Sequence, residues 1–498
     1  MDDGDANAEL ERTLGLTEAL MIGIGTMIGA GIFVLPGPAA AAAGPAIALS
    51  FVIGGGIALL TALSASELAT AMPRAGGSYH FINEGLGPLF GSIAGFGNWL
   101  GLAFASAFYV IGFGGYLGIL IGFVVEPPTL ALGPLVLDEA QLGGLLGGLL
   151  FIGVNYVSTE ETGKLQNIIV IGLLGILTVF SILGALAADV STLTPFTPEG
   201  AGAILPGTAL IFVSYLGFVK ITTVAGEIKE PSRNLPIALV GSVLVVTVMY
   251  AIIMVILLGV VDRGDIAESE TAVADVAGLL FGEFFGIAVL GIGLLTLAGL
   301  LATASSANAS ILAASRINYA MGRDRIFSPK LNAIHGRFNT PYRAILLTGG
   351  FILVFVLIGD IAILAKAASV LHLVVYGLIN IALIVFRETD AVTYNPPYTV
   401  PLYPWVPILG AITSFGLIAF MDPAEIGLGF VFVVVSVVWY LLYARSRTTD
   451  DSALAALRGV RSPDEVEISV DPGAAEPTTD GPNATDASGS EAPNRDVD

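Results

Sequence analysis

The sequence predicts an all-α polytopic membrane protein with twelve crossings, and three observations predict it. The chain of 498 residues is 55% hydrophobic and only 12% charged, with a mean hydropathy of +0.85, far too apolar for a soluble surface of that size. Its apolar residues fall in uncharged runs close to or beyond the roughly 20 residues that a helical crossing requires. The 20 basic residues, finally, gather almost entirely on one side once those runs are threaded through a bilayer. Helices rather than strands follow because the runs are long, lack polar/apolar alternation, and must satisfy their own backbone in lipid.

Taken in order, the first crossing spans 17 to 37, after an acidic segment 1 to 16, and tolerates a single charge, Glu18. The stretch "PGPAAAAAGP" separates it from the second, 46 to 69, and the third occupies 88 to 120 inside a longer uncharged run. The fourth and fifth, 141 to 157 and 165 to 187, are divided by Glu160, Glu161 and Lys164. The sixth, 206 to 226, and the seventh, 235 to 260, flank the charged stretch "GEIKEPSRN", and the eighth covers 284 to 313. The ninth, 344 to 359, reaches only about 24 Å at 1.5 Å per residue, so it must recruit Arg343 by snorkelling or be shielded by protein. The tenth, 363 to 386, carries Lys366 near one end, and two peripheral crossings follow at 403 to 421 and 426 to 444.

With the N-terminus cytoplasmic, only Arg263 falls outside, Lys220 and Lys366 lie within crossings, and the other basic residues are inside. The positive-inside rule therefore places both termini in the cytoplasm and the protein in the cell membrane. Residues 446 to 498 turn acidic and proline-rich and are expected to form a disordered, solubilising cytoplasmic tail. The net charge of -21 fits a salt-rich, halophilic setting in which acidic repulsion is screened. It disfavours nucleic acid as a partner, which would need a basic patch. Lipid and a small-molecule substrate are the expected partners; the sequence sets no oligomeric state. There is no cysteine, which excludes disulfides and thiolate metal sites, and the acidic start "MDDGDANAELERTLG" lacks the form of a cleavable signal.

The first crossing contains "MIGIGTMIGAGIFVLPG", residues 21 to 37, with glycine at 23, 25, 29 and 31. Gly25 and Gly29 form a GxxxG pair that suits close helix packing. The four glycines do not share one face at 100° per residue, however, and they look instead like backbone prepared to leave the helix. A break at mid-membrane frees amides on one side and carbonyls on the other, which fit a carboxylate and an ammonium or Na⁺, respectively. A counterpart appears in "GTALIFVSYLGFVKITTVAGEIKEPSRNLP", 207 to 236, where Ser214, Tyr215 and Gly217 interrupt the sixth crossing. Discontinuous first and sixth helices are what a five-plus-five inverted repeat predicts, with 17 to 187 and 206 to 386 as the two halves and 403 to 444 outside them.

At these residues the chain resembles the amino acid/polyamine/organocation family of secondary transporters. The resemblance is carried by "IGTMIGAGIFVLPG" (24 to 37), "ALSASELATAMPRAGGSY" (62 to 79), "GFVKITTVAGEIKEPSRNLP" (217 to 236) and "ILAASRINYAMGRDRIF" (311 to 327). It implies a LeuT-like fold, alternating access, and transport of amino acids or related amines, with no covalent chemistry and no cofactor. It further implies that the backbone of Thr26, Met27, Ile28, Gly29, Ala30 and Gly31 receives the substrate carboxylate. The sixth-crossing break from Phe212 through Ser214 and Tyr215 to Gly217 would receive the amine and supply an apolar gate. Where relatives often carry an acidic residue after the Gly-Phe pair, this chain has Val219 followed by Lys220, and the fifth crossing lacks the lysine that some proton-coupled relatives place near the position of Leu173.

Lys220 is the sharpest anomaly, because a lysine within a crossing costs about 2.5–3.5 kcal/mol on insertion scales and marks a functional position by default. It is a candidate for coupling, as a proton switch or an electrostatic tie between the broken helices; snorkelling to the interface is the alternative. "ATASSANAS", 302 to 310, presents hydroxyls and amides that a lipid face would not carry. Ser305 and Ser306, together with carbonyls around Gly23, are candidates for a Na⁺ site, with H⁺ as the other possible coupling ion. Tyr109 in the third crossing joins Phe212 and Tyr215 as a candidate pocket aromatic. No Asp or Glu lies at the centres of the first, third, sixth, eighth or tenth crossings, so a neutral amino acid is favoured over a cationic one. A transport-inactive sensor or scaffold on the same fold, or a cationic amino acid or amine carrier, is the competing expectation. Glu67, Arg74, Glu227, Lys229, Glu230, Arg233, Arg316, Arg323 and Asp324 form a candidate inner gate, and the three histidines are too scattered for a metal site.

Overall fold

A computed structural model of the chain describes residues 12–73, 76–122, 129–132, 135–157, 163–269, 271–389 and 394–459. Arg74 and the tail beyond 459 lie outside the described residues. Ten stretches among those described are long and apolar enough to cross a membrane, and two further apolar helices, α15 (Tyr342–Val356) and α17 (Trp405–Ile418), are shorter. The protein is thus a multi-pass helical membrane protein. Among the described residues it departs from an all-helical chain in a small antiparallel pair, β1 (Leu130–Leu132) with β2 (Leu135–Leu137), which the sequence reading did not expect, and in a parallel bridge between Leu14 and Ile228.

The first crossing is divided into α1 (Leu16–Met27) and α2 (Ala30–Phe33). The "PGPAAAAAGP" stretch, expected as a separator, is instead a helix, α3 (Pro36–Ala43). Pro36 sits at its first position, where the missing N–H costs nothing, and the alanines that follow are the strongest helix formers. Gly44, at φ +57°, ends it, and α4 (Ile47–Ala71) then begins the second crossing. A ten-residue helix, α5 (Gly77–Leu86), precedes the long α6 (Pro88–Gly122). α6 meets α7 (Glu139–Val157) backbone to backbone, since a Cβ on Gly114 would overlap the Ala140 carbonyl and one on Gly144 would lie 3.0 Å from the Val110 carbonyl. Small residues permit that approach in lipid, where helix association depends on close packing.

After α8 (Gly163–Ala187) comes the sixth crossing: α9 (Ile204–Ile211), a 3₁₀ segment over Phe212–Tyr215, turns, and α10 (Lys220–Thr223). α11 (Pro231–Val260), the short α12 (Arg263–Glu268) and α13 (Ala272–Phe285) lead to α14 (Ala288–Arg323). The expected eighth crossing began at 284, but α13 runs to Phe285 and is closed by Gly286 at φ +72°. α16 (Ile361–Glu388) is buried along most of its length, whereas α18 (Pro423–Trp439), continued by a π turn over Tyr440–Ala444, exposes Phe430, Val435 and Leu442 in an apolar outer face. The expected disordered tail holds a short docked helix, α19 (Ala453–Leu457), capped by Ser452 and buried at Ala453, Ala455 and Ala456; Thr389 Oγ1 donates to the Ala453 carbonyl at 3.3 Å.

The charged residues expected to form one gate do not assemble that way among the described residues. Glu230 with Arg233 is an exposed local pair, and Arg323 pairs locally with the half-buried Asp324. Glu67, fully buried, turns instead to Arg387 of α16, outside the expected set. Tyr79 of α5 donates to Asp324 at 2.9 Å; burial first, and then the neighbouring carboxylate, push its hydroxyl well above the ordinary tyrosine range, so it stays a proton donor.

Candidate functional site

The site is built where the first and sixth crossings lose helical order beside each other. α1 makes its last regular bond from the Ile28 amide to the Ile24 carbonyl, at 2.8 Å. Ile28 then takes φ -73° and ψ 64°, and the Gly29 amide donates back to the Met27 carbonyl at 2.7 Å. That is an inverse γ-turn, a tight fold that leaves the last carbonyls of α1 and the first amides of α2 without intrahelical partners. In the sixth crossing, bonds from Leu216 to Val213, Lys220 to Gly217, Ile221 to Phe218 and Thr222 to Val219 all span three residues. It is wound tightly through the break rather than fully extended.

Close approach, as well as broken helix, explains the glycines. A Cβ on Gly23 would lie 2.7 Å from atoms of Ile221 and Ser242, one on Gly31 2.5 Å from Ser214 Oγ, and one on Gly29 would overlap Ser306 Oγ. A Cβ on Gly217 would stand 2.6 Å from the backbone at Met27 N and Thr26 C. Gly23 lies on α1, Gly29 at the break and Gly31 on α2, and each is crowded by a different neighbour. Thr26 Oγ1 ties the two breaks by reaching the Gly217 carbonyl at 3.0 Å, within range also of the Ile22 and Gly23 carbonyls at 2.7 and 3.2 Å.

Tyrosines cap carbonyls near the break, a role that sequence reasoning missed. The Tyr250 hydroxyl of α11 donates to the Met27 carbonyl, and Tyr116 of α6 donates to the Phe33 carbonyl at 2.6 Å. Tyr215 belongs to this group: its hydroxyl donates to the Phe51 carbonyl of α4 at 2.7 Å, and its ring meets Tyr250. The side chain of this expected pocket residue is turned toward α4 and α11. Phe212 is buried against Tyr376 of α16, which also stacks near Phe218. Tyrosines in otherwise apolar crossings were the available signal, but the carbonyl each one reaches is set by tertiary packing.

Five buried hydroxyls have no hydrogen-bond partner among the described residues, those of Ser214, Thr296, Ser306, Ser369 and Ser414; Ser214 Oγ and Ser306 Oγ are the two that face Gly31 and Gly29 at the α2 turn. Ser305, the other expected coupling residue on α14, is half-buried, and it is Ser306 that meets the break. Elsewhere on α14, Thr303 bonds back to Gly299 at 2.7 Å, and Asn308 accepts from Asn155 of α7 at 2.7 Å. Lys220 does not snorkel. Its ammonium is buried, donates to Ser310 Oγ at 2.7 Å, and lies 5.7 Å from the centre of the Tyr109 ring. Tyr109 therefore reaches the same neighbourhood as Lys220. His372 of α16 lines a small cavity with Lys220, Asn98 and Ser78.

The site brings freed backbone groups and buried hydroxyls together among apolar and aromatic side chains. No group of histidine and carboxylate side chains suited to a metal occurs among the described residues. A sequence model of the amino acid permease family matches residues 14–444. The chain is 28% identical to the branched-chain amino acid permease BcaP of Bacillus subtilis (strain 168), over 88% of this chain and 94% of the relative. It is also 28% identical to that organism's methylthioribose transporter, over 88% and 95%, and 27% identical to its serine/threonine exchanger SteT, over 82% and 90%. This chain accordingly belongs to the amino acid permease family, and it is a secondary transporter of amino acids or related solutes, not an enzyme.

Proposed function

We propose that the protein carries neutral amino acids by alternating access about the paired breaks. The observation that carries this reading is the pair of buried, unpartnered hydroxyls, Ser214 and Ser306, at the two glycines of the α2 turn. A buried polar group without a partner costs stability, and a polar guest in the gap would supply the missing bonds. In this reading the first amides of α2 take the substrate carboxylate, with Ser214 beside them, and Ser306 offers an oxygen to substrate or to a coupling Na⁺. The aromatic wall at Phe212 favours a neutral side chain, as the branched-chain and serine/threonine specificities named for two relatives do.

A LeuT-like arrangement of twelve crossings, ten of them in two inverted halves and two peripheral, is part of the proposal. Its support is that crossings five apart in order pack together: α1 with α10, α4 with α11, α6 with α14, and α7 with α15. Pairwise packing of equivalent elements is what an inverted repeat produces. The same reading puts both termini in the cytoplasm, on the basic side of the chain. An acid-rich surface suits a salt-rich setting, where a Na⁺ gradient is at hand.

Purified protein in liposomes tests this, with neutral and cationic amino acids offered under separately imposed Na⁺ and H⁺ gradients. Uptake of neutral amino acids is expected. Ser306→Ala and Ser214→Ala should each leave the melting temperature unchanged or slightly raised, since neither hydroxyl bonds to the protein. At least one should lower kcat/KM about tenfold or more, the worth of a hydrogen bond of about 1.5 kcal/mol to a charged group. Wild-type uptake rates in both variants would remove the site.

A further inference from the structure

We infer that Lys220 determines specificity by charge: its fixed ammonium, held one helical turn from the substrate gap, rejects solutes with a cationic side chain. The inference rests on the proposed placement of the substrate between Ser214 and Ser306 and adds to it a residue that sets which amino acids enter. Ser310, which accepts from Lys220 Nζ at 2.7 Å, lies four residues after Ser306 on the continuous helix α14. Four residues advance a helix by about 6 Å along the same face. The ammonium is therefore held about a turn from the unpartnered Ser306 hydroxyl. It is not free to swing away, being buried and placed over the Tyr109 ring as well.

Lys220 also begins α10, three residues beyond Gly217, whose carbonyl is joined to Thr26. Its backbone is thus locked to the first-crossing break while its side chain spans toward α14. On the other side, Lys220 lines the cavity that runs between Leu216 and Val219 of the sixth crossing and Ser78 of α5. A solute held at Ser306 lies within about a helical turn of the ammonium. Charges at such separations in a partly buried site act on each other with little screening. A zwitterion with a neutral side chain carries no net charge past Lys220, whereas a cationic side chain brings like charge against it.

The test is competition in liposomes, with uptake of a labelled neutral amino acid inhibited by lysine, arginine or an uncharged analogue. In Lys220→Gln and Lys220→Met, the half-inhibitory concentration of lysine and arginine against the neutral uptake that each variant shows should fall at least about tenfold relative to that of the uncharged analogue. Lys220→Arg, which keeps the charge, should retain wild-type discrimination. Unchanged discrimination in Lys220→Gln and Lys220→Met, with neutral uptake intact, would overturn the filter and leave the proposed function standing. Loss of neutral uptake in Gln and Met variants that still melt as the wild type, with rescue by Arg, would also overturn it, because the ammonium would then be holding the substrate carboxylate. Failure of every protein, wild type included, to take up neutral amino acids would strike the proposed function instead.

Discussion

Gly217→Val should abolish uptake and lower the melting temperature of the purified protein, and Gly217→Ala should do both to a smaller extent. The Cβ that either change introduces would stand 2.6 Å from Met27 N and Thr26 C. Both are main-chain atoms, so no rotamer change can yield the space. Gly217 is not among the residues with positive φ, and its requirement is proximity, not a left-handed conformation. Separating the breaks would also lengthen the 3.0 Å bond from Thr26 Oγ1 to the Gly217 carbonyl. Overpacking of this kind costs about 1–3 kcal/mol, and more when neighbours cannot move. Gly172→Ala on α8 provides the control, because a Cβ there meets nothing within 4 Å. It should leave uptake intact and melt at or slightly above the wild type, since alanine is favoured over glycine within a helix by up to about 1 kcal/mol. Wild-type uptake by Gly217→Val would separate the close contact from transport and remove the paired-break account of the site.

The same glycine shows what the sequence could and could not reveal. Gly217 was legible as an interruption, because glycine in an apolar run weakens the helix, but its role as the contact between two backbones depends on a partner 191 residues away. Gly29 was legible in the same limited sense, and Ser306 was legible as one of too many hydroxyls on a crossing. That these two residues face each other follows from packing of α1 against α14, which no local pattern encodes. The crossings were easier, because an uncharged run of given length has few alternatives in a bilayer. Their ends were harder: the last residues of α13, after Glu283, run on into α14 as one apolar stretch until Gly286 turns the chain, and α3 was hidden because proline and glycine bracket its alanines. Tyr215 shows a further limit. A buried tyrosine must place its hydroxyl on some acceptor, but periodicity alone cannot choose between a substrate and the Phe51 carbonyl.

Glu67→Ala should destabilise the protein by about 3–5 kcal/mol, the cost of breaking a buried ion pair by removing one partner. Glu67, near the end of α4, is wholly buried. It accepts from Arg387 Nε at 2.7 Å and Nη2 at 2.6 Å, from the Tyr394 hydroxyl at 3.0 Å, and from the Val400 amide at 2.6 Å. One carboxylate thus joins α4, the end of α16, and the segment leading to α17. Arg387→Met should be comparably harmful, because it leaves the carboxylate buried with only the two weaker donors. Changing both residues to methionine should recover part of the loss, since apolar groups of similar size can replace a buried pair at little cost. Recovery will be incomplete because Tyr394 and the Val400 amide then lose their acceptor. Melting curves of Glu67→Met, Arg387→Met and the double variant that combines them measure the coupling directly. Additive losses, with no recovery in the double variant, would show that the two residues act independently and that the fourfold-satisfied carboxylate does not hold these elements together.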